Sequence, residues 1–231
     1  DDVYTVNGYY STINSYFQQN FEGKGHQISA TINAIIWDGG GYELSSKTIA
    51  DKNYNIIDQN VQQNKGTADS RSFMIKCKSD YVYPIGEGYN FEAGYNFDYT
   101  QDFSDYLYEN FNNNTKKWET NSNFTNNTKY YHSINAVYST FSGMLFDFNY
   151  QLGLRAEYFN RRLQQETNNS LFKYDKVSFF PTFHLTKQFE NDQQIQLSYS
   201  RRVQRPDVYA LNPFPDYVDD YVVSMGNPNL M

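Results

Sequence analysis

Residues 146–158 alternate without interruption between apolar and polar side chains. The even-numbered positions are Phe146, Phe148, Tyr150, Leu152, Leu154, Ala156 and Tyr158, and the odd-numbered positions are polar or glycine. Because successive side chains of a strand point to opposite faces, the pattern predicts a β-strand with one apolar and one polar face. It is about twice as long as the five or six residues usual in soluble domains, and it satisfies the roughly 9–11 residues of a tilted membrane crossing.

The composition is compatible with a membrane protein only if the chain crosses as strands. Hydrophobic residues make up 39% of the chain, the mean hydropathy is -0.78 and the net charge is -7. No run approaches the roughly 18 apolar residues of a membrane helix. In a transmembrane β-barrel only alternate residues meet lipid, and the 23 Tyr residues suit the membrane interface. A Tyr-rich soluble β-domain is the alternative that composition leaves open.

Similar alternation recurs along the chain, and no segment has a helical period. Apolar and polar residues alternate over 28–36, 91–99, 179–185 and 195–200. The sequence predicts strands near 8–18, 26–37, 42–50, 71–83, 89–103, 129–141, 146–162, 176–188 and 194–206. The predicted fold is therefore all-β: an antiparallel up-and-down meander of about nine or ten long strands, part of a larger transmembrane β-barrel.

The predicted links between strands alternate in length. Short, turn-rich links are expected at 38–41 (Asp-Gly-Gly-Gly), 84–88, 142–144 and 190–192, and long polar links at about 51–70, 104–128, 163–175 and after 206. In a meander, all short links then lie at one end and all long links at the other. Outer-membrane barrels have this asymmetry, whereas a soluble sandwich has no reason to sort its loops by length.

From residue 146 onward the chain resembles a known family. Residues 153–157 read Gly-Leu-Arg-Ala-Glu, 195–206 read Ile-Gln-Leu-Ser-Tyr-Ser-Arg-Arg-Val-Gln-Arg-Pro, 211–214 read Leu-Asn-Pro-Phe and 226–230 read Gly-Asn-Pro-Asn-Leu. Together with the Phe-Pro-Thr at 180–182, they resemble the outer-membrane β-barrel family of TonB-dependent receptors of Bacteroidetes. Residues 1–145 fit by strand rhythm, and Val203 and Thr182 are mild departures from the pattern.

The resemblance implies an outer-membrane receptor with an N-terminal plug, a TonB-contacting box and twenty-two barrel strands. Residues 1–231 show neither plug nor box, so we expect the whole chain to be one partial barrel domain. Its partners would be outer-membrane lipid, the plug and TonB of the intact receptor, and a surface lipoprotein. A partial barrel has two unpaired edge strands, so the isolated piece is expected to associate edge to edge.

Six charged residues would point inward if the apolar positions face lipid. They are Glu92, Asp98, Asp147, Arg155, Glu157 and Arg202. Arg–carboxylate pairs among them could hold the plug or line a path. The alternative is that they only solvate or brace the barrel wall. Arg201, Arg202 and Arg205 precede Pro206 in what the resemblance implies is a structural signature.

The sequence contains no constellation that indicates catalysis or a cofactor. His26, His132 and His184 fall on different predicted strands, and Cys77 is expected to be a small buried residue. No nucleophile, phosphate-loop or zinc motif is present, and the acidic balance gives no nucleic-acid footprint. We therefore expect no enzyme, no metal and no nucleic acid.

The predicted function is energised uptake of a large or scarce nutrient such as a siderophore, glycan or peptide. A small closed outer-membrane barrel or surface protein with a structural or binding role is the second possibility. A soluble ligand-binding β-domain is the third.

Overall fold

The computed structural model describes residues 2–57, 61–217 and 223–231, and the chain is almost entirely β-structure. The long strands are β1 (Asp2–Asn20), β2 (Gln27–Lys47), β3 (Gln62–Ile85), β4 (Tyr89–Asn112), β6 (Asn126–Leu145), β7 (Phe148–Gln165) and β8 (Ser170–Gln188). Shorter elements are β5 (Lys117–Thr120), β9 (Gln194–Ser200), α1 (Val208–Leu211), β10 (Asp216–Tyr217) and β11 (Val223–Ser224). The predicted all-β antiparallel meander is confirmed.

One sheet contains nine of these strands in chain order. The order is β1-β2-β3-β4-β6-β7-β8-β9, with β5 added to the end of β4, and every neighbouring pair is antiparallel. Among the described residues β1 and β9 are each paired on one side only, so the sheet is open.

The pairing register puts the predicted apolar positions on one face of the sheet, which we call the apolar face. Val137, Leu154 and Phe179 lie on it in β6, β7 and β8, and each is more than half exposed, at 58%, 51% and 55%. Exposed apolar patches of this extent mark contact with another apolar phase. The opposite side, which carries Asp98, Arg155 and Glu157, is the polar face.

Aromatic side chains concentrate at one end of the apolar face, where the links 21–26, 86–88, 146–147 and 189–193 lie. The His26 Nε2 lies 2.9 Å from the Tyr81 hydroxyl, and the rings of Tyr81 and Tyr83 are stacked. Tyr89 and Phe141 stack further along the sheet. Girdles of this kind border the apolar band of membrane barrels.

The predicted hairpin at residues 38–41 is wrong, because β2 runs straight through this segment. Gly39 is paired with Gly8 on β1, and Gly41 with Val6. A Cβ on Gly41 would lie 2.0 Å from the Thr5 carbonyl oxygen. Glycine is therefore required here for close approach of two strands, and no turn is made.

The predicted turn at residues 142–144 is also displaced. β6 continues to Leu145, and the turn consists of Phe146 and Asp147, which have φ values of 48° and 63°. A two-residue turn with both φ angles positive matches the right-handed twist of the strands it joins. The alternating strand therefore begins at Phe148. The predicted short links at 84–88 and 190–192 are confirmed.

Two of the predicted long links, 104–128 and 163–175, prove to be largely strand, and the last part of 51–70 is strand as well. β3 begins at Gln62, β4 extends to Asn112, and β7 and β8 are joined by residues 166–169. Beyond the apolar band the lipid-side positions also become polar, as at Arg162 and Gln164, so the alternation that predicts strands disappears although the pairing continues. The end of the sheet opposite the aromatic cluster carries the links 48–61, 113–125 and 166–169.

β9 ends at Ser200, earlier than the predicted strand, for a reason found on its neighbour. The Arg201 amide donates to the Pro181 carbonyl at 3.3 Å, but Pro181 has no N–H to donate in return. The ladder stops there. The chain then crosses to the polar face, where residues 205–217 and 223–231 form what we call the inner segment.

The inner segment contains the one helix among the described residues. The Asp207 carboxylate caps it by accepting from the Ala210 amide at 2.8 Å, and the completely buried Leu211 ends it. No helix in the described part of the chain is long and apolar enough to cross a membrane.

Candidate functional site

The most connected charged group on the polar face is the Glu157 carboxylate. Arg155 donates to it through Nε at 2.7 Å along β7, and Arg205 donates through Nη2 at 2.5 Å from the inner segment. The Glu157 side chain is only 9% exposed. Two guanidinium groups therefore compensate one largely buried carboxylate, and the contact fixes the inner segment against the sheet.

A second set of polar contacts crosses β3, β4 and β6 on the same face. Lys76 lies 3.6 Å from Asp98, and the Tyr138 hydroxyl donates to Asp80 at 2.5 Å. The Arg155 guanidinium lies 5.7 Å from the centre of the Tyr138 ring, which links this set to the Glu157 pair. The charges thus form a continuous polar surface across neighbouring strands.

The inner segment is held to the sheet by an apolar contact and an arginine. Leu211 packs with Tyr130 and Leu163, and these three buried residues form one hydrophobic cluster. Arg161, which is 4% exposed, donates through Nη2 to the carbonyl oxygens of Pro228 and Leu230, each at 3.0 Å. The buried Arg161 guanidinium thus donates to two backbone carbonyls of the inner segment in place of water.

Four of the six predicted inward charges lie on the polar face. Asp98, Arg155 and Glu157 belong to the contacts above. Glu92 is exposed, and no hydrogen bond or ion pair joins it to another described residue. The structure brings Arg155 and Glu157 together but does not join them directly to Asp98.

The other two predicted positions are not strand residues. Asp147 was expected to point inward from a strand, but it lies in the turn before β7, because the strand starts one residue later. Arg202 was expected on the last strand, but it lies two residues beyond β9 and is exposed, because the ladder ends at Pro181.

Sequence reasoning missed Lys76, Asp80, Arg161 and Arg205 as parts of this surface. Lys76 and Asp80 have the polar parity of the strand in which Phe73 and Cys77 are on the apolar side, so the alternation contains the signal for both. Arg161 lies beyond the alternating stretch. Arg205 reaches this surface because the chain crosses to the polar face after β9, and the periodicity of the sequence does not predict that crossing.

The polar face offers charged hydrogen-bonding groups and no metal centre. Among residues 2–57, 61–217 and 223–231, no group of three or more His, Cys, Asp and Glu side chains is arranged to hold a metal ion. What this arrangement can do chemically is bind: its arginines, lysines and carboxylates suit charge-assisted contacts with a polar surface placed against the wall.

Comparison with known proteins assigns the chain to a family. Residues 19–231 match the family model described as "Outer membrane protein beta-barrel family", so the chain belongs to that family. No curated protein sequence matches it. Fifteen chains of solved structures match, among them the ferric citrate transporter FecA in its unliganded form, with 9% identity and a TM-score of 0.39. That match covers 72% of this chain and 25% of the FecA chain.

Family membership gives the two faces of the sheet their surroundings. The protein is located in the outer membrane, and its sheet is part of a barrel wall. The apolar face meets lipid, and the polar face, with the inner segment on it, meets the barrel interior. Short turns of such barrels are periplasmic, so the aromatic end is periplasmic and the other end extracellular.

Proposed function

We propose that the chain is a section of the wall of a TonB-dependent receptor that imports a large or scarce nutrient. The observation that carries the proposal is the open sheet: a barrel in lipid must satisfy all backbone groups, whereas β1 and β9 each leave one side unpaired among the described residues. Further strands of a longer protein would close the barrel. The resemblance of residues 146–231 to receptors of Bacteroidetes supports the same class.

In this proposal the polar face is the surface against which the plug rests. Asp98, Glu157 and their cationic partners would hold the plug by charge-assisted contacts, and the ligand would enter from the extracellular end. TonB would act on the plug to release the ligand, with no covalent chemistry. A surface lipoprotein would meet the extracellular loops. Siderophore, glycan and peptide remain the candidate ligand classes.

The alternative is a small closed barrel in which β1 pairs with β9. Cysteine cross-linking in the intact protein in its native membrane distinguishes the two. In a Cys77→Ser background, Thr12→Cys or Asn14→Cys on β1 would be combined with Ser198→Cys on β9, all on the polar face. We expect no cross-link with a short bismaleimide. His184→Cys with Ser198→Cys is the positive control, because these residues are directly opposed.

Efficient cross-linking of β1 to β9 would support the small barrel and contradict the proposal. The receptor function has its own test, which is binding of purified periplasmic TonB domain to the intact protein. We expect binding that increases when ligand is present in an extract of the growth medium. An intact protein that does not bind TonB and forms a steadily open channel in planar bilayers would exclude the receptor.

A further inference from the structure

Two cations face each other on the lipid side of the sheet near its extracellular end. Arg162 on β7 is paired directly with Lys173 on β8, and both side chains are exposed. Like charges in directly opposed strand positions repel each other. No hydrogen bond or ion pair joins either side chain to another described residue. The pair therefore costs stability unless an anion lies between the two side chains.

The neighbouring carboxylates are engaged elsewhere. Asp175 accepts a hydrogen bond from the Tyr158 hydroxyl at 3.1 Å, and Glu166 is paired with Lys129 at 2.5 Å. Asp175 is the nearest acidic group by register, two residues from Lys173 toward the membrane centre, but it makes no ion pair with the two cations. The neighbourhood thus leaves a net positive charge at the Arg162–Lys173 pair.

The pair borders a concavity with further hydrogen-bonding groups. This hollow on the apolar side has a volume of about 440 Å³. Its lining comprises Tyr99, Tyr131, Asn160, Arg162, Gln164, Leu171 and Lys173. Hydroxyl and amide donors beside two cations form a surface suited to an oxygen-rich anion, and Leu171 adds an apolar edge.

The height of the pair in the membrane identifies the source of such an anion. The last apolar row below it contains Tyr158 and Val177, which are paired directly. Arg162 follows four residues after Tyr158, which is about 10 Å along the membrane normal for a strand tilted by about 40°. That distance places both cations at the headgroups of the outer leaflet.

We propose that Arg162 and Lys173 bind the phosphate headgroup of an outer-leaflet lipid. The guanidinium would bind two phosphate oxygens, the ammonium would bind the third, and the acyl chains would lie along the apolar face below. The bound phosphate would relieve the repulsion between the cations. The site depends on the outer-membrane location of the chain and is independent of the receptor proposal.

The test is lipid retention by the intact protein purified in mild detergent from outer membranes. Native mass spectrometry and phosphorus analysis would count phosphate-bearing lipids per protein for the parent and for Arg162→Gln/Lys173→Gln. We expect at least about a tenfold loss of retention on removing two charge-assisted contacts. The control Lys116→Gln/Lys117→Gln removes the same charge from the exposed extracellular hairpin and should retain lipid as the parent does.

Two further measurements test whether the charge of the protein and the phosphate of the lipid are responsible for retention. Arg162→Lys conserves the charge but loses the contact to two oxygens, so its lipid retention should lie between those of the parent and the double variant, which separates binding from loss of folding. Re-addition of a dephosphorylated form of the same lipid should fail to restore occupancy. Equal retention by the double variant, equal loss in the control, or displacement of the lipid by inorganic phosphate at similar concentration would overturn the proposal.

Discussion

Glu157 is the residue on which the inner segment and the wall depend together. Replacing it with Gln keeps the shape but removes the charge that holds Arg155 and Arg205. Both arginines are partly exposed, so water screens part of the lost interaction. We expect the free energy that holds the inner segment to the sheet to fall by about 1–3 kcal/mol. Hydrogen exchange should rise at the Gly226 and Asn227 amides of the inner segment.

The matched control for this prediction is Glu92→Gln. Glu92 lies on the same face but makes no contact of this kind with a described residue, so exchange should stay at the parent rate. A Glu157 variant with parent-like exchange would show that the ion pairs do not hold the segment.

Gly41 tests whether the glycine run is needed for strand approach. Gly41→Ala would place a methyl group against the Thr5 carbonyl, so β1 and β2 must separate locally. We expect a destabilisation of about 1–3 kcal/mol, typical of overpacking, seen as a lower unfolding temperature in detergent. Ser45→Ala, farther along β2, should leave that temperature within about 1 °C of the parent. An unchanged Gly41→Ala protein would contradict the close approach.

The Asp51 carboxylate makes the stability of the extracellular link after β2 depend on pH. The side-chain amide of Asn55 and the backbone amides of Asn55 and Asn53 donate to its carboxylate and lower its pKa below 3.8. Because the pKa of Asp51 is lower in the folded link than in the unfolded chain, its ionised carboxylate stabilises the folded link fully above the unfolded pKa. This stabilisation is lost as the pH falls through the folded pKa. Proteolysis of this link should therefore rise below about pH 3.8. Asp51→Asn should remove that pH step, and a persisting step would assign it to another group.

At the scale of elements, the inner segment is docked by one apolar side chain. Leu211 is completely buried, so Leu211→Ala should weaken docking by about 2–5 kcal/mol. Limited proteolysis should then cut the inner segment while β6 and β7 stay protected. Met225→Ala is the control, because Met225 is 66% exposed and its truncation leaves no cavity. Equal cleavage of both variants would show that Leu211 is not the anchor.

Sequence reasoning predicted elements well wherever a strand has one apolar face. The alternation at 91–99 and 152–158 gave the correct strands and parity, because lipid on one side and polar groups on the other impose the period of two. It failed at Gly39–Gly41, where glycines usual in turns serve close packing, and at 163–175, where the lipid-side positions become polar while Leu163 is buried on the polar face. The inner segment could not be predicted because its contacts with Tyr130, Leu163 and Arg161 join residues far apart in the chain.

For the whole molecule, the two edge strands govern how the isolated chain behaves. Residues 1–231 alone should associate through β1 or β9 and should not form a monodisperse monomer in light scattering without detergent. Ser11→Lys with Ser15→Lys on β1 should reduce the association. The same charges at Ser79 and Ser139, on the central strands β3 and β6, should not reduce it. A monodisperse parent without detergent would contradict edge pairing.

β9 ends early, at Ser200, because Pro181 on β8 stops the ladder, and this has a mechanical consequence. Tension applied at residue 231 would reach the wall first through the two carbonyls held by Arg161, then through the pocket of Leu211 and the Arg205–Glu157 ion pair, and only afterwards through the β8–β9 ladder. A few side-chain contacts pulled one after another yield at lower force than a ladder of parallel-loaded hydrogen bonds. The inner segment can therefore be drawn off the wall while the strands stay paired.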